Sequence, residues 1–352
     1  MKPQERQALR FFGRIYQKED IVYFNWSLSG FVFRFHGTCA KAKLLTSLGY
    51  HGTSPANNAT LWVSVDGDEE NRRLLTLDTP SGWYILAEGL TEGPHTIRVV
   101  KRVEVGYATA GLAELCLDGP LLEPPSARPR RIECIGDSFT CGDGCYTVGG
   151  KDAYVSANQD ATVSYARILG DYFDAEVHVI AKCGIGLVWN YAGNTAEDGA
   201  IALPQIYAYT DYFNEGSSLL FRFEDFPPDL IILNIGTNDA SYIAKDRERW
   251  FTTYLTFLQT LQSHHPGTPI LCTQGAANGF SAETALAVLK ERATAAGLTD
   301  IRFYPMAMDY DPVTDGFGVG MHPSPATHKK TAAQLIDVIE RLGLLSATPR
   351  RE

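Results

Sequence analysis

Residues 131–144, RIECIGDSFTCGDG, decide the fold. Arg131 to Ile135 is a short apolar strand, and Gly136-Asp137-Ser138 turns it toward a helix. The following TVSYARILGDYF carries Val163, Ala166, Ile168, Leu169 and Phe173 at near-helical spacing. Further strands are predicted at EVHVIA (176–181), DLIILNI (229–235), PILCT (269–273) and IRFYP (301–305). Helical stretches at 247–263, 282–296 and 325–342 separate them. Strands alternating with helices of this length need right-handed crossovers, so an α/β domain with a doubly wound, parallel five-stranded sheet is expected over 130–352. Residues 186–226 fit no single element and read as a long insertion with some helix.

Upstream the pattern changes. Phe31, Phe33 and Phe35 alternate with Val32 and Arg34, LWVSVDGD ends in an Asp66-Gly67 turn, and GPHTIRVVKRVE follows Gly93-Pro94. This period of two with regular turn signals predicts an all-β sandwich over 1–120. Pro120, Pro124, Pro125 and Pro129 then make 121–129 a linker, because the missing N–H groups of proline suit neither helix nor central strand.

The 352 residues are therefore read as two domains. Apolar residues make up 45% and charged residues 20%, which excludes a wholly disordered chain. With 31 Lys and Arg against 41 Asp and Glu, the net charge of −10 disfavours nucleic acid as a partner, since that affinity rests on neutralising phosphates. No apolar run could span a bilayer, so no membrane partner is expected. The N-terminus MKPQERQALRFF has no export-signal pattern, which predicts a cytoplasmic protein, or a secreted one whose signal was removed. Seven scattered cysteines argue against a disulfide framework. Cys141 and Cys145 lack a second Cys or His pair for zinc, and neither metal nor cofactor is expected. Oligomeric state is not legible.

Ligands of an open parallel sheet bind at the carboxyl ends of its strands. Ser138 stands there as a candidate nucleophile whose own N–H helps build an oxyanion site, although Asp-Ser also makes an ordinary turn or N-cap. Lys182-Cys183-Gly184-Ile185-Gly186 ends the second strand, with glycines that let a ligand approach the backbone. In Asn234-Ile235-Gly236-Thr237-Asn238-Asp239, Asn238 offers a neutral side-chain donor. The late loop DGFGVGMHPS (315–324) carries His322 and leads into the last helix, with Ser324 as N-cap. His328 beside Lys329 and Lys330 reads as a solvated face, His264 and His265 as the end of a polar helix, and Cys183 as core.

In order and placement these blocks resemble the SGNH, or GDSL-type, hydrolases, with Ser138, Gly184 (less surely Gly186), Asn238 and His322 on the four named blocks. Together with the sandwich, the Lys101-Arg102-Val103-Glu104 strand end and the proline-rich linker, they look like carbohydrate esterase family 2. The resemblance implies a jelly-roll domain before an SGNH (flavodoxin-like) domain, and removal of acetyl groups from sugars, oligosaccharides or polysaccharides such as xylan. Ser138 and His322 would carry catalysis, and the Ser138 and Gly184 N–H groups with the Asn238 side chain would hold the oxyanion. The superfamily usually places an aspartate three residues before the histidine, and here Val319 stands there. A backbone carbonyl of the loop, favoured, or Asp315 folding back would orient the imidazole. Trp189, Asn190 and Tyr191 are candidates for lining a sugar cleft, with core packing as the alternative. Competing readings are a lipid or thioester acyl hydrolase on the same residues, and a catalytically weakened carbohydrate-binding protein. An α/β-hydrolase is disfavoured because no Gly-x-Ser-x-Gly occurs.

Overall fold

The computed structural model describes residues 6–47, 55–147, 153–274, 282–306, 311 and 313–346. The first five residues, part of the segment read above for an export signal, lie outside this set.

Strands are numbered in chain order. The N-terminal domain is a sandwich of two antiparallel sheets. One runs β1 (Leu9–Phe12), β4 (Gly30–Gly37), β9 (Gly93–Lys101), β6 (Thr60–Val65), β7 (Arg73–Thr76). The other runs β2 (Tyr16–Lys18), β3 (Ile21–Tyr23), β10 (Gly111–Leu117), β5 (Ala40–Leu45), β8 (Ser81–Ala87). From β4 to β10 the chain switches repeatedly between the sheets, as in a jelly roll. Alternation decides which side chains fill the layer between them: Phe31, Phe33, Phe35, Ala40, Ala42, Leu44, Leu61, Ile97 and Val99 are all buried there. The proline-rich stretch is not wholly a linker. Leu121–Leu122 forms a short strand, β11, against Phe35 and Arg34, and the Pro120 carbonyl accepts from the His36 N–H.

The C-terminal domain holds a parallel sheet in the order β13 (Ala175–Ala181), β12 (Arg130–Gly136), β14 (Leu230–Asn234), β15 (Ile270–Gln274), β16 (Ile301–Pro305). The chain reverses its direction of winding between β12 and β14, the position at which such sheets open a crevice. Helices Tyr165–Tyr172 and Pro325–Arg341 cover one face, and Arg247–His264 and Ala282–Ala295 the other. Among the described residues no helix is long and apolar enough to cross a membrane.

The long insertion resolves into short helices at Leu203–Tyr207 and Tyr212–Glu215 and 3-10 turns, and it joins the domains. Arg14, buried from the sandwich side, donates to the carbonyls of Tyr207 (2.6 Å) and Tyr209 (2.8 Å) and pairs with Glu133 of β12 at 3.2 Å. Glu133 also accepts from the Tyr207 hydroxyl at 2.6 Å. The Trp26 indole donates to the Thr210 carbonyl at 2.7 Å. His264 ends the helix Arg247–His264 and His265 caps it, as read from the sequence, with His265 buried against the Tyr207 hydroxyl and His264 stacked on Phe223. Burial lowers both imidazoles, so they pack as neutral rings.

Candidate active site

Ser138 opens a four-residue helix, Ser138–Cys141, directly after β12. Asp137 caps it by accepting from the Phe139 N–H at 3.1 Å. Gly142, at φ +67°, closes it by returning its N–H to the Ser138 carbonyl. Gly136 has no room for a side chain, since a Cβ would stand 2.4 Å from the Asn234 carbonyl oxygen. The tight strand-to-helix turn therefore presents Ser138 at the carboxyl edge of the sheet.

The glycine and asparagine blocks are one unit. The Asn238 side-chain amide donates to the Ile185 carbonyl at 2.7 Å. Its neighbour Asp239 accepts from the N–H groups of Leu187, Val188 and Trp189, each at 2.8 Å. Asp239 is a residue that sequence reasoning missed, and an acidic residue one position past Asn238 at a strand end was the only signal available. Of the two glycines, Gly186 is structural: its N–H donates to Asn190 Oδ1 at 2.9 Å, and a Cβ there would stand 1.8 Å from the Trp189 carbonyl oxygen. Gly184, at φ +74° with only Tyr191 Cβ within 4 Å of where its own Cβ would stand, is the glycine that fits close approach of a ligand.

Of the cleft candidates, Trp189 is packed in the core and Asn190 is committed to Gly186 and the Ile201 carbonyl, so neither presents a face to a sugar. Tyr191 is 79% exposed, beside Gly184.

His322 sits at the end of the loop that follows Asp315. Its Nδ1 lies 2.7 Å from the Val319 carbonyl oxygen. A carbonyl only accepts, so Nδ1 carries the proton and Nε2 keeps its lone pair. Asp315 does not fold back onto the histidine. It accepts from Lys330 at 2.8 Å and from the Asp311 N–H, and the lysine holds its carboxyl below the usual carboxylate range. The histidine loop is bolted to the Ser138 block: the Val319 N–H donates to the Gly144 carbonyl at 2.7 Å, and a Cβ on Gly318 would strike that same oxygen. Tyr154 sets its ring at 85° to His322 with centroids 5.8 Å apart.

His328 is not on a solvated face. It is buried, takes the Tyr165 N–H at 3.3 Å on Nδ1 and is pushed down to about 3 by burial, so it stays neutral. Cys183 is also not plain core: with Asp143 and His322 it forms a group whose ligand atoms lie within 4.8 Å of one another. The sandwich reaches this point through Tyr107, whose hydroxyl donates to Asp143 at 3.4 Å. Nearby, Arg102 donates to the Ser156 and Ala157 carbonyls, and buried Lys101 caps the carbonyls of Asn25, Val103 and Glu104.

A family model for the GDSL-like lipase/acylhydrolase family matches residues 134–330, more than half of the chain. The chain belongs to this family. A second model, carbohydrate esterase 2 N-terminal, matches residues 11–125, the sandwich with its short strand β11. The chain is 26% identical over 313 residues to the cellulase/esterase CelE of Acetivibrio thermocellus, covering 87% of the present chain and 38% of that protein. It is 28% identical over 289 residues to an acetylxylan esterase / glucomannan deacetylase of Cellvibrio japonicus, covering 82% of this chain and 78% of the relative. Among solved structures, a family two carbohydrate esterase from Clostridium thermocellum in complex with cellohexaose superimposes with a TM-score of 0.84 at 25% identity, over 96% of this chain and all of the other.

Proposed function

We propose that the chain is a carbohydrate acetyl esterase that works through a serine acyl-enzyme with a Ser138–His322 dyad. The observation that carries the reading is the Val319 carbonyl on His322 Nδ1, which fixes the tautomer a general base requires. His322 Nε2 takes the Ser138 proton as the hydroxyl attacks the acetyl carbonyl, then returns it to the departing sugar oxygen. The Ser138 and Gly184 N–H groups and the Asn238 amide hold the oxyanion. Asn238 gives one amide hydrogen to Ile185 and has a second for the substrate. Water, deprotonated by the same nitrogen, releases acetate. Tyr191 offers an exposed ring beside Gly184 on which a sugar can stack. The family two relatives and the matching sandwich model support acetylated polysaccharides or oligosaccharides as substrates.

The test is acetate release from acetylated xylan, glucomannan and small acetylated sugars, with Ser138→Ala as control and octanoyl esters alongside. Release abolished by Ser138→Ala and lost with the longer acyl chain is expected. Preference for octanoyl esters would move the site to lipid hydrolysis. Activity retained by Ser138→Ala would remove the serine mechanism.

A further inference from the structure

The mechanism uses His322 but leaves its two neighbours unexplained. Asp143 leaves the nucleophile helix through a turn with Gly142 at φ +67° and Gly144 at φ +63°. Cys183 follows β13. His322 comes from the late loop. Three loops thus bring a carboxylate, a thiol and an imidazole to one point, with their ligand atoms mutually within 4.8 Å. Around a tetrahedral zinc ion, with bonds of about 2.0 to 2.3 Å, neighbouring donors stand roughly 3 to 4 Å apart, so small rotations bring this group to binding distance.

We propose that Asp143, Cys183 and His322 form a binding site for a thiophilic divalent ion, zinc above all, and that the bound ion switches the esterase off. The donor set suits such an ion, because thiolate and imidazole together select zinc-like metals over magnesium or calcium. Ligating histidines normally donate their other ring N–H to a carbonyl or carboxylate, and Val319 already takes that proton. Asp143 has its own outer partner in the Tyr107 hydroxyl. Three protein ligands leave a fourth position for water or an anion. On binding, the Cys183 S–H bond breaks, the sulfur bonds to the ion and the proton leaves to solvent, with no change of oxidation state. His322 is half-buried, which leaves the ion a way in. Inhibition rests on the reading of His322 as the base: an ion on Nε2 takes the lone pair that would accept the Ser138 proton.

Titration with Co2+ in the presence of a non-chelating reductant tests the site without reference to activity. One equivalent per chain and a thiolate-to-cobalt charge-transfer band are expected, with Zn2+ displacing the cobalt. Cys183→Ser should abolish the band, with Cys183→Ala as a second variant should the serine protein misfold. Asp143→Asn should weaken binding by at least about tenfold, since even outer partners of a metal site are worth that much. Zn2+ should suppress acetate release by the unmodified protein, and EDTA should restore it. Each variant, compared with its own metal-free rate, should resist. Absence of the band, its persistence in both Cys183 variants, or zinc inhibition undiminished in them would overturn the proposal. A protein that shows the band but releases no acetate keeps the metal site and loses the esterase reading. One that releases acetate without the band does the reverse.

Discussion

The Val319 carbonyl oxygen lies 2.7 Å from His322 Nδ1, at the position where an aspartate was expected from the resemblance and Val319 stands instead. The main chain fills the role, so no side chain within the loop needs to. Asp315, engaged by Lys330, is expected to be dispensable for chemistry. Asp315→Ala should leave kcat/KM on an acetyl ester within about threefold, under 1 kcal/mol of barrier. A fall of about a hundredfold would hand the orienting role back to it.

Asn238→Ala removes the tie to Ile185 and, in the proposed mechanism, an oxyanion donor. The expected loss in kcat is about 100- to 1,000-fold with little change in KM, because the interaction forms only as charge develops. A change confined to KM would place Asn238 in ground-state binding.

Tyr191→Ala should raise KM for acetylated polysaccharide by up to about tenfold, the worth of one stacking face. With a small aryl acetate, which has no sugar to stack, kinetics should be unchanged. Equal losses on both substrates would refute a sugar contact.

The pH dependence of stability should show Asp137. Burial first, and the Asp239 charge after it, push its carboxyl up from 3.8 to about 7. A carboxyl raised on folding holds its proton more tightly in the native state, so its contribution is complete below pH 3.8 and is lost as pH rises through about 7. Asp137→Asn, which can still accept from the Phe139 N–H, should flatten the decline in melting temperature across that window. An unchanged pH profile would count against it.

Arg14→Met leaves Glu133 buried without its cation, and stripping one partner from a buried pair typically costs about 3 to 5 kcal/mol. Urea unfolding should show that loss, and adding Glu133→Gln should recover part of it. If the second change only adds further loss, Glu133 draws its stability from Tyr207 instead.

The parallel sheet and the sandwich were legible because burial writes a period into the residues: LIILN is buried at every position of β14, and in β4 Arg34 and His36 alternate with buried Phe33, Phe35 and Gly37. The places of Ser138, Gly184, Asn238 and His322 in the fold were legible because each follows a strand or precedes a helix whose ends the pattern marks. The insertion was not, since it is held by donors from the other domain to its backbone carbonyls, a bond type that leaves no trace in residue identity. His328 misled for a related reason. Two lysines follow it in sequence, while its own ring turns inward against Phe139 and Tyr165. The meeting of Asp143 with Cys183 and His322 depends on left-handed glycine turns at 142 and 144, whose consequences in space no spacing rule conveys.

The joint made by the insertion has an evolutionary consequence. Arg14 and Trp26 grip the carbonyls of Tyr207, Tyr209 and Thr210, which every amino acid supplies alike. Mutations at Tyr209 and Thr210 can accumulate without erasing the acceptors that keep the two halves together. Selection can thus rewrite this segment while the architecture that carries Ser138 stays where it is.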